Sequence, residues 1–138
     1  MKRLILVLSL IILTNCSNDV STQIPLIKGY WEIVNVKKDN KIVKEYTIST
    51  TVDYFEVKDD LTGYRKKVSP NLNGKFMVTQ HEIPFSLITE NNLLQIEYNS
   101  NNVTFIETIK KVTKEELIIT NAEGFIYTYK PYTPINIE

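Results

Sequence analysis

Cysteine, tryptophan, histidine and alanine each occur once in the 138 residues. A single cysteine excludes an intramolecular disulfide, so the fold has to hold by its core alone. The four glycines are too scattered to build a phosphate-cradling loop. One alanine, Ala122, set against abundant isoleucine, threonine, tyrosine and valine, favours strands over helices. No charge sign dominates: 16 basic and 16 acidic side chains cancel. Nucleic acid is therefore not expected as a partner, because it would want a clustered basic face. The short clusters Lys37-Lys38, Arg65-Lys66-Lys67 and Lys110-Lys111 read as solvated strand edges, where lysine discourages sheet aggregation.

Catalytic constellations are equally scarce. His81 stands between Gln80 and Glu82 with no partner set for zinc and no motif for nucleophilic catalysis, and reads as an exposed loop residue. Asp59-Asp60 and Glu115-Glu116 are neighbours in sequence, so on a strand their side chains diverge. Asp59-Asp60-Leu61-Thr62-Gly63 departs from a calcium loop and reads as a turn. No enzyme activity, metal or cofactor is expected.

What is present begins at the amino terminus. Lys2 and Arg3 precede an apolar run from Leu4 to Leu13, and Leu13-Thr14-Asn15-Cys16 closes it. Ten helical residues rise roughly 15 Å, about half of the hydrocarbon core of a bilayer. The run is thus an export signal and not a membrane span. Its layout resembles a bacterial lipoprotein signal peptide, in which a lipobox cysteine becomes the acylated first residue. That resemblance implies residues 1–15 as a cleaved signal, lipidation at Cys16 and insertion into a lipid bilayer. With Ser17 in place of aspartate after the cysteine, the same resemblance implies the outer membrane of a Gram-negative cell envelope as the expected destination. Residues 16–23 then form a small, polar tether, and residues 24–138 one domain.

Within that domain, short β-type runs alternate with turn signals: 30–36, 42–48, 52–57, 64–68, 75–78, 83–89, 93–98, 103–112, 117–121 and 125–129. Asp39-Asn40, Asn91-Asn92, Asn101-Asn102 and Asn73-Gly74 supply residues that tolerate positive φ in tight hairpins. Hairpins without long crossovers predict an all-β, antiparallel up-and-down barrel of eight to ten strands. Lys114-Glu115-Glu116 is the single stretch that reads as a helical turn.

The opening Leu26-Ile27-Lys28-Gly29-Tyr30-Trp31 carries Gly-x-Trp, which resembles the first signature of lipocalins. Asp60-Leu61-Thr62-Gly63-Tyr64 and the closing Glu116–Ile119 and Gly124–Lys130 segments are similar to small lipocalin-like bacterial lipoproteins. The resemblance covers about 24–132 and implies a calycin-type β-barrel. Arg65 lies outside the last strand, where such barrels place a cation over the tryptophan; Lys130 is nearer that place. Trp31 itself reads as a plug at one barrel end.

Alternation aims the phenylalanines at 55, 76, 85, 105 and 125 towards a common interior. With Trp31, Leu94, Ile96, Tyr98 and Tyr127, those five, Phe55, Phe76, Phe85, Phe105 and Phe125, are expected to fill the barrel or line a ligand space within it. An eight-stranded barrel is just wide enough to be filled by side chains or to hold one small ligand. Two expectations follow: a membrane-anchored binder of a small hydrophobic molecule or lipid, and an envelope module that docks a protein partner. Tyr46, Tyr54 and Tyr132, read as exposed, motivate the second.

Overall fold

The computed structural model describes residues 19–78 and 81–134. Cys16 and the rest of the lipobox lie outside the described residues. Ten strands run in chain order: β1 (Gly29–Lys38), β2 (Lys41–Glu45), β3 (Val52–Val57), β4 (Thr62–Pro70), β5 (Phe76–Val78), β6 (Ile83–Glu90), β7 (Leu93–Ser100), β8 (Val103–Val112), β9 (Leu117–Asn121) and β10 (Ile126–Pro131). Every pairing is antiparallel, and β10 returns to β1 to close the sheet. Eight strands make the closed barrel; β2 hangs on the upper half of β1 and β5 on the end of β4.

The turns follow from local chemistry. Asp39-Asn40, Asn91-Asn92 and Asn101-Asn102 all take positive φ, between 50° and 64°. That left-handed pair matches the twist of two-residue hairpins, and short polar side chains bear it at least cost. Asp60 accepts from the Thr62 backbone N–H at 3.0 Å, so the acidic pair near it does serve a turn. Gly63 answers a steric need: a Cβ there would overlap the Glu56 carbonyl oxygen and stand 2.8 Å from the Phe85 ring.

One feature departs from expectation at the start of the domain. Residues Val20–Ile27 form a helix, α1, where a tether was expected to reach residue 23. Asp19 caps it, accepting from the Ser21 N–H at 3.0 Å. The helix packs on β3 and β8, burying Ile27 completely at the lower end of the barrel. Trp31 completes the closure: its ring is buried and its Nε1–H donates to the Ile27 carbonyl at 2.8 Å. One carbonyl that a helix terminus would leave orphaned is thereby satisfied.

The core fills the lower barrel. Phe55, Phe85, Leu87, Leu94, Ile96, Ile109, Leu117 and Ile119 form one buried cluster with Ile27 and Trp31. Burying a large aliphatic or aromatic side chain stabilises by about 1.5–3 kcal/mol, so this cluster dominates the fold's favourable energy. Two bulges re-aim side chains. Between Ile33 and Asn35 the register shifts, and Val36 comes to pair with inward Tyr127. Between Ile109 and Lys111 a second shift turns Val112 inward beside Leu117.

Candidate functional site

Above the apolar floor the interior changes character. Asp53 sits two residues before Phe55 on β3, Arg65 and Lys67 follow Gly63 at two-residue steps on β4, and Glu107 follows Phe105 on β8. The period of two sends all of them inward. The Arg65 guanidinium occupies the centre. Its Nη2 donates to Asp53 Oδ2 at 3.1 Å and to the Tyr129 hydroxyl at 2.9 Å. Its Nη1 donates to Glu107 Oε2 at 3.1 Å and to the Tyr98 hydroxyl at 3.0 Å. The plane lies 4.9 Å above the Phe55 ring, an additional cation–π contact.

Two further contacts extend the network. Lys67 Nζ donates to Asp53 Oδ1 at 3.0 Å, so both Asp53 oxygens are held by cations. The Tyr98 hydroxyl donates to Glu107 Oε2 at 2.9 Å. Burial alone would push the Asp53 carboxyl up, but the Arg65 and Lys67 charges outweigh it and hold it below its ordinary value. Burial drives the Tyr98 and Tyr129 hydroxyls well above the ordinary phenol range. Arg65, despite its burial, is held firmly cationic by the tyrosines and carboxylates around it.

The network ends at a small cleft of about 100 Å³, lined by Asp53, Arg65, Lys67, Ile83, Tyr98 and Phe105 together with Lys66. Phe105 stacks on Tyr98 with ring centroids 4.6 Å apart and planes at 15°, and stays 42% exposed at the barrel's open end. On its other side a shallower cleft of about 550 Å³ runs between Phe105, Ile106, Glu107, Asn121 and Glu123. Among the described residues, no group of three or more His, Cys, Asp or Glu could hold a metal ion.

The residues expected to line the interior divide into three groups. Trp31, Phe55, Phe85, Leu94, Ile96 and Tyr98 are buried in the core. Phe105, Phe125 and Tyr127 stand at the upper end. Phe125 lies in the connection before β10 with Lys38 Nζ 4.5 Å over its ring, and the half-buried Tyr127 hydroxyl lies 3.4 Å from Asn121 Nδ2. Phe76 is not inside. It belongs to β5, pairs with Pro70 on the outward phase of β4, and stacks on Tyr30 at 4.4 Å on the outer wall. Val78, in the same short strand, is exposed, and Phe76 itself is half-buried.

Two further readings need correction. Arg65 and Lys67 are not edge residues: β4 is an interior strand of the sheet and its alternation carries both to the Asp53 carboxylate inside the barrel, Arg65 shielded and Lys67 partly exposed. Tyr46, Tyr54 and Tyr132 are half-buried and not exposed, since Lys44 covers Tyr46, Tyr54 hydrogen-bonds Glu56, and Tyr132 meets Phe76 edge-on. His81 is exposed between β5 and β6.

The profile of the lipocalin-like domain matches residues 27–119. No curated protein and no solved structure matches the chain. The match runs from the last residue of α1 to the middle of β9, and so spans the floor, the Arg65 network and Phe105.

Proposed function

Because the chain belongs to the lipocalin-like domain family, we propose that it is a membrane-anchored, non-enzymatic protein that binds a small, mainly hydrophobic molecule at the open end of its barrel. The observation that carries this reading is the contrast inside the cylinder. Packed rings and aliphatic chains stop the lower half, whereas Phe105 keeps about two-fifths of its surface exposed at the mouth. Exposed apolar side chains around a concave opening suit an apolar ligand. The anchor is the acylated Cys16 that the lipobox layout supports, set in the cell envelope, with the outer membrane as its destination. Two or more acyl chains at that residue give a stable attachment, where one would hold only marginally.

Titrating the purified protein with the neutral fluorophore N-phenyl-1-naphthylamine tests the binding. Saturable one-to-one enhancement that weakens in Phe105→Ala is expected; the absence of saturation overturns the reading. Mass spectrometry of the membrane-extracted protein tests the anchor. A mature chain that starts at a lipid-modified Cys16 is expected, and any other start contradicts it.

A second reading is favoured by the outer wall. Tyr30, Phe76 and Tyr132 form a partly exposed aromatic group beside a groove of about 440 Å³ that includes Ile48 and Leu72. Such a surface fits an envelope protein partner. In-cell crosslinking from Leu72 that recovers one defined protein would favour it over the first.

A further inference from the structure

We propose that the cleft between β4, β6 and Phe105 selects an anion: a small aromatic or short-chain carboxylate whose charged end meets Lys67 and whose apolar end lies against Phe105 and Ile83. The inference rests on the open end being the binding end, and it adds the charge class of the ligand.

Exposure decides which charge a ligand would meet. Asp53 is 4% exposed and both of its oxygens accept from cations, whereas the Lys67 side chain is 41% exposed. The pair therefore turns its cationic end to the opening. Arg65 strengthens that field from behind, although its own donors are committed to Asp53, Tyr129, Glu107 and Tyr98. Lys66 adds little, because it faces the outer wall, where Tyr54, Tyr64 and Glu82 engage it. Ile83 and the Phe105 ring line the same cleft as Lys67, so it offers apolar surface as well as charge. A space of about 100 Å³ suits a single ring or a few methylenes beside the carboxylate. Apolar fill often serves stability as well as a buried ion cluster does, so charge at this place is not required for stability alone.

The wider cleft across Phe105 makes the opposite forecast, since Glu107 and Glu123 line it. Glu107, however, already accepts from Arg65 and Tyr98 through Oε2. Benzoate, benzyl alcohol and benzylamine share one ring and differ in charge, so they separate the two forecasts. Their affinities for the purified protein can be compared by calorimetry or ligand-observed NMR.

Benzoate should bind about tenfold more tightly than benzyl alcohol, as one charge-assisted hydrogen bond allows, and benzylamine should bind weakest. Lys67→Gln should erase the preference, and Lys67→Arg should restore it. Equal binding of benzoate and benzyl alcohol, or a preference for benzylamine, overturns the anion selectivity and leaves the mouth as the binding end. Failure of all three while N-phenyl-1-naphthylamine still saturates has the same meaning. Failure of that fluorophore too removes the binding reading itself.

Discussion

The two halves of this barrel are built from different chemistry on the same strands. Below, β3, β6, β7 and β9 point Phe55, Phe85, Leu94, Ile96, Leu117 and Ile119 at one another around the Trp31 plug. Above, β3, β4 and β8 carry Asp53, Arg65, Lys67 and Glu107 at inward positions only two residues further along. Apolar packing is non-directional and stabilises in proportion to the area removed from water. The charged layer is directional: each group loses hydration, and that loss is offset only while every partner stays in place. The lower half explains why the fold exists. The upper half explains why its interior is not simply grease, and it is where the proposed ligand would be recognised.

Substitutions should separate the two. Arg65→Leu leaves Asp53 and Glu107 buried without their common cation, and should cost about 3–5 kcal/mol in urea denaturation at neutral pH. Ile96→Ala, in the floor, should cost about 2–5 kcal/mol by leaving a cavity, with little dependence on pH. The triple change Asp53→Leu, Arg65→Met, Glu107→Leu should recover most of the loss seen in Arg65→Leu. Recovery would show that the charged layer is dispensable for stability; a further loss would show that it is structural.

Acid should discriminate the halves more gently. The Asp53 carboxyl is held below its unfolded value of about 3.9, so its contribution is present above that value and lost as pH falls through the folded one. The wild type should therefore lose stability below about pH 4 more steeply than Asp53→Asn, as read from denaturation midpoints. Alkali acts in the other direction. Tyr98 and Tyr129 have raised folded values, so their contribution is complete below about pH 10 and declines above it. Near-ultraviolet titration should find these two phenols ionising only with unfolding. The smallest effect should come from Asp19→Ala, a slight fall in thermal midpoint, because its cap on α1 is solvent-exposed.

Much of this was legible from residue order. The strands expected at 52–57, 103–112 and 117–121 stand unchanged, because alternation and flanking turn residues agreed there. Paired asparagines marked the hairpins, because few other side chains accept positive φ in succession. The bulges near Val34 and Lys110 were not legible, since each shifts the phase that alternation assumes. Phe76 misled for a related reason: β5 has the composition of a barrel strand but pairs only with the outer end of β4.

The charged layer did leave a signal. Phe55 and Phe105 were both expected to face inward, and the period of two places Asp53 and Glu107 on the same side. Nothing in the sequence said that Arg65 and Lys67, in a basic run, would meet them across the barrel. That needed the register in which Phe55 pairs with Arg65 and Asp53 with Lys67.

Methyl-resolved NMR of the protein titrated with N-phenyl-1-naphthylamine tests the division of the barrel most directly. Shifts should concentrate at Ile83, with Leu94, Ile96 and Ile119 unmoved. Saturable shifts centred on Leu94, Ile96 and Ile119, with the mouth silent, would contradict a solid floor beneath a recognising rim.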